Sequence, residues 1–123
     1  KLAIKNKVLQ ESVKILVMGI TFKENCPDVR NSKAIDIVNQ LEEYNLEVDI
    51  YDPILYKSNI SITEKSNLIN DLKNNKYAGI IIAVAHNQFK SLNIRFLRDI
   101  CISNSIIFDV KNIYPSNLTD LRL

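Results

Sequence analysis

After Gly19 the sequence runs Ile20-Thr21-Phe22-Lys23-Glu24-Asn25-Cys26-Pro27-Asp28-Val29-Arg30-Asn31-Ser32, a stretch rich in side chains able to hold a ligand. Lys23 supplies a compact charge and Arg30 a planar fork, the two forms of cation that suit phosphate oxygens or a carboxylate. Arg30 and Lys33 stand where a helical pattern begins, and there the helix macrodipole disfavours a cation by about 0.3–1 kcal/mol. An anion held at that point would account for both. The alternative is that both are solvated, in weak surface pairs with Asp28 or Asp36. Phe22 could cover a ring of a ligand or tuck into the core. Only Gly19 stands where a dinucleotide-binding turn needs three spaced glycines, so phosphate contacts must come from side chains.

Three further residues invite chemistry. Cys26 has no histidine nearby in sequence and precedes a proline, so it is assigned no catalytic role. His86 is the single histidine; with no carboxylate partner identified, it reads as a hydrogen-bonding or capping residue rather than a base. Lys111 follows Asp109 at the end of the last strand, where it could reach a ligand or simply be solvated.

These residues are placed by an alternation of strands and helices. Lys14–Met18 is apolar on both faces, as a parallel strand covered by helices requires. Ala34, Ile37, Val38 and Leu41 recur at helical spacing, with Ser32 or Asn31 as N-cap and an end near Tyr44 and Asn45. Glu47–Tyr51 reads as a strand closed by the turn Asp52-Pro53. Leu68, Ile69 and Leu72 predict a helix capped at Ser61 or Thr63. Residues 79–84 form a β-branched run expected at the sheet centre, followed by a helix over 94–102 and a strand over 106–109. The expected fold is a Rossmann-like, doubly wound α/β domain with a parallel sheet, helices on both faces and strand order 2-1-3-4. The switch point then lies between the first and third strands, where ligands bind in such sheets. That puts the loops at 19–31 and 85–89 at the site.

Composition sets the limits. A chain of 123 residues, 46% hydrophobic and 24% charged, is enough for one domain with a real core. Sixteen Lys and Arg against fourteen Asp and Glu leave a formal charge of +2, so no broad field grips nucleic acid. The longest mostly apolar stretch, residues 77–85, is too short to cross a bilayer. Cys26 and Cys101 lack metal-ligand spacing, and reduced thiols in a cytoplasmic protein are expected, with no disulfide and no metal. Because Lys1 opens without an initiator Met, the chain is expected to be cut from a longer one.

The loop from Gly19 to Ser32, together with Tyr51-Asp52-Pro53 and Phe108-Asp109-Val110-Lys111-Asn112, resembles the C-terminal domain of the UDP-glucose and GDP-mannose dehydrogenase family. Asn25-Cys26-Pro27-Asp28-Val29-Arg30-Asn31, Ala83-Val84-Ala85-His86-Asn87-Gln88-Phe89 and the closing Arg122-Leu123 are similar to the Vi-polysaccharide branch, whose members oxidise UDP-N-acetylglucosamine or UDP-N-acetylgalactosamine. The resemblance implies that residues 1–13 end a preceding central helix or linker and that 14–123 form the nucleotide-sugar-binding domain. It implies that Phe22, Lys23 and Lys111 contact the UDP-sugar and that Arg30 reaches NAD. Lys111 takes the place of an arginine in many UDP-glucose enzymes. NAD would be bound mainly by an N-terminal domain, and the catalytic cysteine, in a glycine-rich motif absent here, would also lie outside this chain. The whole enzyme would be a homodimer making uronic acids for surface polysaccharide. A non-catalytic nucleotide-binding or receiver-like module is the alternative, although a receiver's carboxylates after the first and third strands are missing.

Overall fold

A strand that is apolar on both faces needs cover on both sides, and the computed structural model supplies it. The structure describes residues 14–21, 23–25, 29, 32–55, 66–72 and 77–122. In chain order the elements are β1 (Lys14–Met18), α1 (Lys33–Glu43), β2 (Glu47–Tyr51), β3 (Asn67–Ile69), β4 (Tyr77–Ile82), α2 (Asn87–Lys90), α3 (Ile94–Asp99), β5 (Cys101–Asp109), a 3₁₀ turn (Ser116–Leu118) and β6 (Leu121–Arg122). All strand pairs are parallel, in the order β3-β2-β1-β4-β5-β6. The four expected strands are β2-β1-β4-β5 in this sheet, in the expected 2-1-3-4 order, and β3 and β6 extend the two edges.

Successive residues of β1 pack to opposite sides, as a pleated strand dictates. Leu16 and Met18 join Ile80 and Ile82 of β4 against Phe89 of α2 and Leu97 of α3. Val17 joins Ile50 of β2 against Ala34 and Val38 of α1. Helices therefore cover both faces, and each fully buried aliphatic side chain contributes about 1.5–3 kcal/mol. Ser32 is the N-cap of α1, its hydroxyl accepting from the Ala34 N–H, and the helix ends with Tyr44 as C-cap and Asn45 at φ 62°.

Gly19 follows β1 at φ +93°, where an added Cβ would lie 2.6 Å from Val84 Cβ. Its N–H donates to the Tyr51 carbonyl at 2.9 Å, while the Met18 carbonyl accepts from the Ala83 N–H at 2.9 Å. β1 thus ends clasped between its two neighbours.

Three expectations about elements fail. Leu68 and Ile69 belong to β3, not to a helix: they pack against opposite core clusters, whereas helical neighbours would share a face. The proposed caps Ser61 and Thr63 lie outside the described residues. The helix after residue 94 stops at Asp99, and β5 starts at Cys101 rather than 106. Its register jumps from Tyr77↔Cys101 to Gly79↔Ile106, an irregularity in which the exposed Ser103 and Asn104 interrupt the apolar run. The short α2 was not expected. Residues 1–13, and with them the proposed boundary at 13, are outside the described residues.

Two buried tyrosine hydroxyls, of Tyr77 and Tyr114, are paired, whereas Asp109 Oδ1 has no hydrogen-bond partner among the described residues. The Tyr77 hydroxyl donates to Asp49 Oδ2 at 2.7 Å, and burial, then that bond, raises its pKa. Burial, then the charge of Asp109, pushes Tyr114 up to about 12. Both groups are held protonated by the folded state, so the stability they contribute is present below the ordinary tyrosine value and lost as pH rises through the folded value. Ultraviolet titration should show Tyr77 and Tyr114 ionising late, with unfolding free energy falling from about pH 10 toward pH 12. Ionisation of every tyrosine near its ordinary value in the folded protein would contradict this.

Candidate functional site

The switch point between β1 and β4 opens into a cleft of about 230 Å³. Three lysines line it, Lys23 from the β1 loop, Lys33 from the start of α1 and Lys111 from the loop after β5, with Thr21, Glu24 and Val84 among the other lining residues. Among the described residues that line it, these three lysines stand with a single acidic residue, Glu24. None of the three makes an ion pair with a described residue, so the pairing of Lys33 with Asp36 does not occur. Cations without such a partner, beside the amino end of an eleven-residue helix, are the arrangement an anion would stabilise.

Each lysine is positioned by a fixed backbone. Lys111 leaves the sheet just past β5 in a turn where Asp109 Oδ2 accepts the Tyr114 N–H at 2.9 Å and the Val110 N–H donates to the Ile82 carbonyl at 3.1 Å. Lys33 is set by the Ser32 cap, whose hydroxyl lies 3.5 Å from the Thr21 carbonyl. The Lys23 carbonyl accepts from Thr21 Oγ1 at 2.9 Å. Phe22, Arg30 and Cys26 lie outside the described residues. The structure therefore brings Lys23 and Lys111 together and adds Lys33.

Beneath the β1 loop is a network that the sequence does not disclose. Asp52, 2% exposed, accepts the Ile20 N–H at 2.7 Å on Oδ2 and the Ile54 N–H at 3.0 Å on Oδ1. The same Oδ2 lies 3.1 Å from His86 Nε2, both side chains being fully enclosed. His86 has a carboxylate partner after all, and at 0% exposure it has no access to a ligand. In sequence Tyr51-Asp52-Pro53 reads only as a turn; a carboxylate at a central strand's carboxyl end, beside the switch point, is the signal that reading passes over. Cys101 is a free, buried thiol whose pKa burial raises. Among the described residues no cluster of His, Cys, Asp and Glu could hold a metal, and no helix is long and apolar enough to cross a membrane.

The model of the UDP-binding domain of the UDP-glucose/GDP-mannose dehydrogenase family matches residues 16–116. The chain belongs to that family. Over all 123 residues it is 36% identical to the UDP-N-acetyl-D-glucosamine 6-dehydrogenase of Pseudomonas aeruginosa. It is 35% identical, again along its whole length, to the enzyme of the same description from Salmonella typhi. The chain spans 29% of the length of each of these relatives. The native structure of the UDP-N-acetyl-mannosamine dehydrogenase of Staphylococcus aureus superposes with a TM-score of 0.68 at 28% identity, over 94% of this chain and 26% of that one. The span that matches the family includes the loops that carry Lys23, Lys33 and Lys111.

Replacing Asp52 with alanine would leave the Ile20 and Ile54 amides and His86 Nε2 without their acceptor. Each buried donor left unsatisfied costs about 1–3 kcal/mol, so Asp52→Ala should lower unfolding free energy by at least about 2 kcal/mol in a denaturant titration. A change below about 0.5 kcal/mol, the ordinary range for surface substitutions, would show that the network carries no stability.

Proposed function

We propose that the chain is the nucleotide-sugar-binding domain of an NAD-dependent UDP-hexose 6-dehydrogenase, acting on UDP-N-acetylglucosamine or UDP-N-acetylgalactosamine. The observation that carries this reading is the cleft at the switch point, with three lysines that pair with no described residue, sited on the loops that match the family's UDP-binding domain. The relatives named for UDP-N-acetyl-D-glucosamine support the choice of an N-acetylhexosamine.

In this reading Lys23 and Lys111 hold the anionic part of the UDP-sugar by charge-assisted hydrogen bonds, while Phe22 covers it. Arg30 reaches the NAD side. The described residues do not fit a pyrophosphate cradle for NAD: Gly19 is the one glycine of the β1 loop, and its Cα faces Val84 at contact distance rather than open space. NAD is therefore held mainly by another part of the enzyme. That enzyme would carry out two successive oxidations at C6, giving a uronic acid for surface polysaccharide, as a cytoplasmic homodimer whose catalytic cysteine lies outside this chain. A receiver-like module is disfavoured because, among the described residues, three lysines and only one acidic residue line the cleft, where a phosphoacceptor site would need clustered carboxylates.

In the whole enzyme, Lys23→Ala should lower kcat/KM for the UDP-sugar by roughly ten- to more than a hundredfold, the equivalent of about 1.5–3 kcal/mol for a hydrogen bond to a charged group. Folding should be little affected, since an exposed lysine supports no core. Arg30→Ala should instead raise the KM for NAD. Steady-state kinetics with each ligand varied in turn separate the two roles; normal kinetics in both variants, with lowered melting temperatures, would make these cations structural. This chain alone should form no NADH from any UDP-sugar and NAD, and activity above a protein-free control would refute its assignment as a non-catalytic domain.

A further inference from the structure

Lys23 sits at the rim of the cleft on a loop, yet its position is fixed from below. The residues two places to either side of it, Thr21 and Asn25, are both tied to the ring of His86. Asn25 N–H donates to His86 Nδ1 at 2.8 Å, and Thr21 Oγ1 lies 3.2 Å from His86 Nε2. Asn25 holds φ 59° there, a left-handed conformation that asparagine tolerates, and its side-chain Oδ1 accepts the Asn87 N–H at 3.1 Å.

A backbone N–H can only donate, so Nδ1 is the acceptor and the ring's proton is on Nε2. From there it faces Asp52 Oδ2 at 3.1 Å and Thr21 Oγ1. The Thr21 hydroxyl spends its own proton on the Lys23 carbonyl, so toward His86 it is an acceptor. Asp52 thus fixes the tautomer, and the tautomer presents a bare Nδ1 to Asn25. Phe89, 5.3 Å away centroid to centroid and edge-on, holds the ring plane.

We propose that His86 is a positioning residue for nucleotide-sugar binding, its Nδ1 holding the loop at Asn25, two residues past Lys23, while Asp52 and Thr21 orient the ring through Nε2. This rests on the UDP-sugar reading above. His86 neither touches the ligand nor moves a proton in the reaction; it removes the freedom that Lys23 would otherwise lose on binding.

Two isosteres separate this role from simple core packing. In His86→Asn the amide oxygen replaces Nδ1 and keeps an acceptor for Asn25, whereas His86→Gln keeps a donor for Asp52 and loses that acceptor. In the whole enzyme, titration with UDP should show His86→Gln weakened by about three- to tenfold, the equivalent of one neutral hydrogen bond, with His86→Asn rescued toward wild type and NAD affinity unchanged in both. Hydrogen exchange should show the Asn25 amide protected in wild type and in His86→Asn but not in His86→Gln. Equal UDP affinities in the two variants, or an unprotected Asn25 amide in wild type, would overturn this role; the wild-type exchange decides if either variant fails to fold. A wild type that does not bind UDP overturns the functional reading itself, an outcome distinct from a wild type that binds while both variants match it.

Discussion

One buried carboxylate governs how the parts of the site meet. Removing a charge from water is tolerated only where hydrogen bonds replace hydration, and Asp52 obtains them from the ends of three different strands. Ile20 follows β1, Ile54 follows β2 and His86 follows β4. Satisfying that single group therefore fixes the relative positions of the loops above it. Since two of the three donors are backbone amides, the requirement reaches the chain path itself and not only side-chain rotamers. The cleft inherits its shape from that constraint, because Thr21, Lys23 and Val84 are carried on the same loops.

The charge of the protein is nearly balanced, and its electrostatic character is local. Lysines from the loops after β1 and β5 and from the start of α1 converge although they are distributed along the sequence, and the sheet order is what brings them together. A modest overall charge is compatible with a strongly cationic cleft when low-dielectric walls focus the field. Asp49, paired with the Tyr77 hydroxyl and 3.7 Å from Lys14 Nζ, lies back from this edge within β2.

How much is legible in the sequence depends on how far each signal is local. β1 and β4 are readable because burial on both faces demands an uninterrupted apolar run, and α1 because Ala34, Ile37, Val38 and Leu41 repeat at its own period. β3 is not: three residues are too few to display alternation, and Leu72 completes a false helical spacing. β5 is foreshortened because Ser103 and Asn104 break the pattern at the irregularity in its register. At the site, Lys23 and Lys111 can be named from the carboxyl-edge rule and the family motif. The bond between Asp52 and His86 joins residues distant in sequence, and neither type nor spacing announces such a pair; only the turn role of Asp52 is a local property. Lys33 stands out in the sequence as a cation in an unfavourable place, and that misfit is the signature of its part in the cleft.

The contact between Gly19 and Val84 has a meaning beyond backbone strain. Because an added Cβ would come within 2.6 Å of a side chain that is itself branched and buried, a single methyl group at this point would act as a wedge between the loops of β1 and β4. The aperture of the crevice is set by the smallest substituent available, a hydrogen atom. Displacement of roughly 1 Å at a binding constellation can cost two orders of magnitude in rate. A substitution that reaches no ligand could thus retune specificity by changing the gauge of the opening, leaving every lysine in place.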